Sequence, residues 1–404
     1  MTREDAVGAT LRSLGWPVYV PAMLWGLGQG AILPVVVTSA VDLGASLAVA
    51  GLVLAGLGVG QIAGDLPGGW LVGRVGERRA MLLAAAGAVP ALLACLLAPT
   101  LWLFAAGVFV TGLCGAVWNL ARQTYVTEAV PYAMRARALS TLAGVHRIGR
   151  FVGPFAAVGA MAALGTEGAY WVHLAAAVLA AGTLVLAADL RPIDRLAGSD
   201  DHVATLAMLR RHAPLLRTLG LSVASVGVLR ASRQAIIPLW GIHIGLDATA
   251  VSLVFGLSAA LDMALFYPGG KIMDRYGRRW VAVPSTLLLG VAHLLLPFTT
   301  GAVGLAFVAA LMGLGNGISS GIIMTLGADF APATGRPQFL GTWRLFADFG
   351  NGAGPLATSA LIAVFSPAAA VVVVGALGLW TAWSMNRWIP RPRAVTEPRP
   401  ADAG

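Results

Sequence analysis

The chain has 404 residues, 58% of them hydrophobic and only 11% charged, with a mean hydropathy of +0.80. Soluble domains carry about 25% charged residues, so a water-soluble globule is excluded. The net charge of +9 would ordinarily suggest nucleic-acid binding, but the Arg residues lie between apolar runs, not on a polar face, and no nucleic-acid partner is expected. Cys95 and Cys114 both fall in apolar runs, which gives neither a disulfide framework nor a metal site.

A spanning helix needs about 20 mostly apolar residues. The segment Met1–Leu14 is polar and of mixed charge, unlike a cleaved signal peptide. Twelve apolar runs follow, near 16–39, 47–72, 80–98, 101–128, 137–163, 168–189, 214–242, 249–270, 280–298, 302–328, 338–364 and 367–388. The longest polar break, 190–213, ends in Arg210, Arg211 and His212. It is expected to be a cytoplasmic linker between two six-helix bundles, 1–189 and 214–389. The Pro-rich, charged tail 390–404 is expected to be disordered and cytoplasmic. The fold class is therefore an all-α integral membrane protein.

Basic residues in short loops set orientation. Arg74, Arg78 and Arg79 follow run two, Arg135 and Arg137 follow run four, and Arg191, Arg195, Arg210 and Arg211 lie in the linker. Lys271, Arg275, Arg278 and Arg279 follow run eight, Arg336 follows run ten, and Arg391 and Arg393 follow run twelve. The alternate loops, near 43, 99, 165, 245, 300 and 365, contain no Lys or Arg. Both termini are read as cytoplasmic, and the protein as a multi-pass component of the cytoplasmic (inner) membrane. Trp16, Trp102, Trp171, Trp280 and Trp388 fall at run ends, where interfacial anchors belong.

The sequence repeats. Pro268–Arg279 reads Pro-Gly-Gly-Lys-Ile-Met-Asp-Arg-Tyr-Gly-Arg-Arg, and an altered copy occupies Pro67–Arg79, offset by 270 − 69 = 201 residues. At the same offset Glu128, Pro131 and Arg135 match Asp329, Pro332 and Arg336, and Gly153-Pro154 matches Gly354-Pro355. Such agreement around membrane loops implies a duplicated transporter.

On these residues the chain resembles the major facilitator superfamily, and within it bacterial twelve-helix drug and metabolite efflux proton antiporters. That family's loop signature, Gly-x-x-x-Asp-Arg-x-Gly-Arg-Arg, is complete in the second copy as Gly270, Asp274, Arg275, Gly277, Arg278 and Arg279. The first copy retains Gly69, Arg74, Gly76 and Arg78, but Gly73 replaces the Asp and Glu77 stands where a basic residue is common. The resemblance implies two pseudo-symmetric bundles and a cytoplasmic gate at these loops. Arg278 or Arg279 is expected to pair with Asp329, and Arg78 with Glu128, latching one arrangement of the two halves. Gly149, Gly153 and Pro154 resemble the family's helix-five signature, which is associated with export by exchange. Gly56, Gly60, Gly64 and Gly68 form a smooth stripe on helix two, expected to face helix eleven with its Gly350, Gly352 and Gly354.

An ionisable residue at mid-membrane costs at least about 2.5–3.5 kcal/mol on insertion scales and needs a partner or a function. Asp65, Arg122, Arg147, Arg150, Arg230, Arg233, Asp262, Arg344 and Asp348 all lie inside apolar runs. Arg344 and Asp348 are four apart and can pair. Asp262, then Asp65 and Asp348, are the candidate proton carriers, because substrate that occupies a neighbouring Arg lets the acid take a proton. The Arg surplus predicts a cationic pocket that favours neutral, zwitterionic or anionic molecules over cations. Gln29, Trp118, Arg122, Tyr125, His146, Arg147, Arg230, Arg233 and Gln234 are the candidate pocket residues.

These features predict a secondary active transporter moving small organic molecules by alternating access. Proton-coupled efflux of a drug or secondary metabolite is the main reading, and proton-coupled uptake or exchange of an organic anion is the alternative. No His-Glu-x-x-His motif, Gly-x-Ser-x-Gly elbow or Gly-x-x-x-x-Gly-Lys-Ser/Thr loop is read in the chain, so neither an enzyme nor an ATP-driven pump is expected. The expected energy source is a proton gradient, with no cofactor. The expected partners are the substrate and the lipid bilayer, with the monomer as the working unit.

Overall fold

A computed structural model describes residues 15–130, 132–186, 212–332 and 336–390, without the side chains of Leu66, Glu128, 132–137 and 336–338. The expected linker and tail, apart from residues 212, 213 and 390, lie outside the described residues. So do Met1–Leu14, Pro131 and the side chains of Glu128, Arg135, Arg137 and Arg336.

The described residues form twelve helical spans and no strand. The first half comprises α1 (Gly15–Asp42), α2 (Leu47–Val75), α3 (Glu77–Leu96), α4 (Leu101–Ala129), α5 (Tyr132–Leu164) and α6 (Gly168–Leu186). The second comprises α7 (Ala213–His243), α8 (Ala248–Tyr276), α9 (Arg279–Phe298), α10 (Ala302–Phe330), α11 (Arg336–Val364) and α12 (Pro367–Trp388). Ten stretches are individually long and apolar enough to span a membrane, one of them containing both α5 and α6. The twelfth span, α11, has the length but carries Arg344 and Asp348.

Local sequence explains the helix ends. Ser46, Thr100, Asp247 and Ser366 accept hydrogen bonds from the first-turn N–H groups of α2, α4, α8 and α12, satisfying donors that no helix can satisfy itself. All four caps stand at the Arg-free loops. Ser46 and Asp247 are related by the 201-residue offset. So are Gly76 (φ +84°) and Gly277 (φ +95°), which turn the chain through left-handed backbone that favours glycine.

Within the halves, α2 packs on α4 and α1 on α5, and correspondingly α8 packs on α10 and α7 on α11. Gly149 and Gly153 leave no room for a Cβ against the α1 backbone at Met23 and Leu27, and their equivalents Gly350 and Gly354 do the same against α7 at Ala224 and Val228. The offset therefore holds in three dimensions as well as in sequence. Small residues matter here because lipid tails supply no hydrophobic drive between helices, and close packing must provide the attraction.

The expected role of the α2 glycine stripe is corrected. Gly60 and Gly64 lie against α4 at Phe109 and Leu113, and Gly68 lies against Val117, so the stripe serves packing inside the first half. Helices α2 and α11 do meet across the halves, but through Gly51 on Ser359 and Gly352 on Ile62. A second extensive cross-half contact joins α5 and α8, with Gly256 against Phe155. Gly51, Ser359, Gly256 and Phe155 all lie toward the Arg-free ends. The halves are thus closed at the outer side. The interfacial tryptophans Trp16, Trp102, Trp171, Trp280 and Trp388 are all exposed at span ends.

Candidate functional site: a charged cavity between the halves

The chain interrupts α10 at Ser319–Gly321, between helical pieces Ala302–Ile318 and Ile322–Phe330. A broken helix inside a membrane leaves carbonyls without partners. Arg230 of α7 answers this, donating to the Ser319 carbonyl at 2.5 Å and to its Oγ at 3.0 Å. It places a cation at the negative end of the first helical piece. The expectation that no Gly-x-Ser-x-Gly is present is corrected: Gly317–Gly321 has that spacing, although a hydrolase elbow requires a strand-to-helix turn and a nearby base. Here it is a helix break, and Ser319 Oγ bonds to the Gly315 and Asn316 carbonyls.

One turn along α7, Arg233 is 6% exposed. It donates to Ser258 Oγ at 2.8 Å and lies 3.5 Å from Asp262 Oδ2, both on α8. Asn316 of α10 donates to the same carboxylate oxygen at 2.8 Å. Asp262 Oδ1 has no hydrogen-bond partner among the described residues. Three helices of the second half thus converge on one carboxylate.

The first half differs at the equivalent positions. Gln29 and Gln61 stand where the second half has Arg230 and Asp262, and Gly115 stands in place of Asn316. Both amides reach the space left by the missing Gly115 side chain. The first half therefore presents neutral hydrogen-bonding groups where the second presents charges.

Between the halves lies a cavity of about 350 Å³, within the range of ligand pockets. Its polar lining is Gln29, Gln61, Asp65, Thr111, Arg150, Gln234, Asp348 and Asn351, and its apolar lining includes Leu54, Leu57, Ile62 and Pro355. Arg150 of α5 donates to Gln234 Oε1 of α7 at 3.1 Å, linking the halves. Arg147 stacks over Phe266 of α8, 4.7 Å from the ring centroid. Arg344 and Asp348 form the expected i,i+4 pair at 3.4 Å.

Of the predicted pocket residues, Gln29 and Gln234 line this cavity, as do Asp65 and Asp348. Arg233 and Asp262 form the network with Asn316, while Arg230 is held by Ser319 and Arg147 by the Phe266 ring. Trp118 is fully buried in the first half, stacked 4.3 Å from Trp25, whose ring meets His173 edge-on. Arg122 bonds to Asn119 Oδ1 and His146 Nδ1, both at 3.1 Å. Trp118, Arg122 and Tyr125 border a separate narrow crevice with Pro17 and Met81. Trp118 and Arg122 stand four apart on one face of α4, and that face points into the first bundle and not toward the cavity between halves. Gln61, Thr111 and Asn351 were not anticipated. The 201-residue offset would have flagged Gln61 and Asn351, as the equivalents of Asp262 and Arg150.

At the cytoplasmic loops Arg278 grips both oxygens of Asp329, donating from Nε at 2.7 Å and from Nη2 at 3.2 Å. Asp329, assisted by Asp274, holds the Arg278 proton more firmly than usual. Arg279 bonds to Asn386 of α12, and Arg78 caps α6 at the Leu184 and Val185 carbonyls. The latch expectation is corrected in one respect. The Arg278–Asp329 pair ties the α8–α9 loop to α10 within one half, so it does not bridge the halves. The Glu128 side chain, the expected partner of Arg78, lies outside the described residues.

Two repeated six-helix bundles enclosing a polar cavity between them define a transporter. The chain belongs to the Major Facilitator Superfamily, whose family profile matches residues 18–231 and 219–403. Solved structures share the fold at low identity. A POT family transporter in complex with 5-aminolevulinic acid superposes with a TM-score of 0.72 at 12% identity, covering 92% of this chain and 95% of that one. The nucleoside transporter NupG gives 0.71 at 13%, covering 93% and 98%. A D-xylose-proton symporter gives 0.68 at 16%, covering 94% and 98%. No curated protein matches by sequence.

Proposed function

We propose that this transporter carries small organic molecules out across the cytoplasmic membrane in exchange for protons. The observation that carries the reading is the network in which Arg233 and Asn316 meet on Asp262, beside the cavity. An acid held by an arginine and an amide, with one oxygen free, is suited to exchange a proton when the local charge balance changes. Substrate entering beside Arg150 disturbs that balance, since Asp262, Arg147, Arg150 and Arg233 act on one another electrostatically. Opening the outer side then requires the Gly51–Ser359 and Gly256–Phe155 contacts to part, which a rocking of the halves achieves. Asp262 is the first proton carrier, with Asp65 and Asp348 as further candidates, and the monomer is the working unit.

A second reading is uptake or exchange of an organic anion, favoured by the arginine surplus. The known relatives named above include a proton symporter, which keeps this reading in play. A substrate screen on proteoliposomes under an imposed pH gradient separates the two. Substrate moving against the proton flow supports export by exchange. Substrate moving with it supports uptake, and no pH-driven flux of any solute rejects both.

A further inference from the structure

We infer that the cavity binds a small zwitterion, with its carboxylate on Arg150 and its ammonium on Asp65; this rests on the transporter reading above. The cavity wall carries charges of opposite sign on different helices. Arg150 reaches it from α5, and its one hydrogen-bond partner among the described residues is the neutral amide of Gln234. Asp65 reaches it from α2 with no hydrogen bond or ion pair among the described residues, and the charges that act on it are Asp348 and Arg344. Asp348 already has Arg344 at 3.4 Å. A guanidinium and a carboxylate that form no ion pair among the described residues therefore line the same 350 Å³ space.

They do not satisfy each other. Among the described residues no hydrogen bond or ion pair joins Arg150 to Asp65, and Arg150 is spent on Gln234. Arg150 is half-buried and Asp65 is exposed to the cavity, so a ligand bearing both opposite charges can meet both ends together. A purely anionic ligand leaves Asp65 uncompensated, and a purely cationic one leaves Arg150 so. Gln29, Gln61 and Asn351 offer hydrogen bonds between the two ends, while Leu54, Leu57 and Ile62 accommodate an apolar body.

The test is binding to the full-length protein in nanodiscs, read by thermal stabilisation. The probes are α- and ω-amino acids and dipeptides, each beside its methyl ester and its N-acetyl derivative. At least one parent zwitterion is expected to bind, and each capped derivative to bind about tenfold to a hundredfold more weakly, as loss of a hydrogen bond to a charged group implies. Arg150→Gln should erase the preference for the free carboxylate while keeping that for the free amine. Asp65→Asn should do the reverse. Because each variant is compared with itself on capped and uncapped probes, a general loss of stability does not mimic the result; if Arg150→Gln does not fold, Arg150→Met and the Asp65 arm carry the test. Stabilisation by no zwitterion, or preferences unmoved by either substitution, overturns the inference. The proteoliposome screen distinguishes the two levels of failure: transport of a solute with a single charge sinks only the zwitterion, whereas no transport at all sinks the transporter reading.

Discussion

Replacing Asp262 with Asn keeps the shape of the α8 network and removes its only carboxylate. Arg233 Nη2 lies 3.5 Å from Asp262, and the two side chains are 7% and 18% exposed. At an effective dielectric of 20, unit charges at that distance attract by about 5 kcal/mol. Not all of this is lost. Arg233 retains Ser258 at 2.8 Å, and the new amide still accepts from Asn316. Breaking a buried pair costs about 3–5 kcal/mol, and the retained bonds place Asp262→Asn near the lower figure, about 3 kcal/mol. Thermal unfolding of the purified protein should show a clearly lower midpoint. In proteoliposomes the variant should keep substrate binding within a few-fold but lose pH-driven flux, since an amide cannot take up the proton. Full pH-driven flux in Asp262→Asn would refute the assignment of the proton to this residue. An unchanged midpoint would refute the energetic argument.

Three other outcomes are expected. Gly153→Val and Gly354→Val, which push α5 off α1 and α11 off α7, should each destabilise by about 1–3 kcal/mol, and thermal unfolding that shows one harmless and the other severe would contradict the duplicated packing. Asp329→Asn breaks a pair whose side chains are 33% and 40% exposed, so it should cost under about 1 kcal/mol of stability; a larger drop in denaturation midpoint counts against the surface character of that contact. A Cβ at position 51 would stand 3.3 Å from that of Ser359, close to disulfide reach. The double variant Gly51→Cys, Ser359→Cys should therefore crosslink under mild oxidation and stop transport until reduced. Transport that continues in the crosslinked protein would show that the outer contact need not open.

How much of the site was legible in the sequence depended on what kind of fact was asked for. Twelve spans and the repeat could be read because hydropathy and spacing are one-dimensional properties. The Arg344–Asp348 pair was equally accessible, since helical spacing alone puts i and i+4 on one face. The Arg278–Asp329 pair was anticipated from the loop pattern, but its location within a single half was not. Trp118 and the α2 glycines show the limit. Their faces were evident, but the direction of a face depends on the rotation of the helix in its bundle. With lipid on one side and protein on two others, an apolar sequence does not distinguish the neighbours.

The sequence by itself determined the membrane class, the helix count, the duplication and the concentration of arginine in the spans. These follow from the cost of exposing backbone and charge to lipid. Only the tertiary structure decided that Arg230 caps a broken helix, that three helices converge on Asp262, and that Arg150 and Asp65 share one cavity without pairing. Each of those contacts joins residues from different helices. Their geometry is fixed by how glycine surfaces let the helices approach, and that approach is a property of the packed bundle.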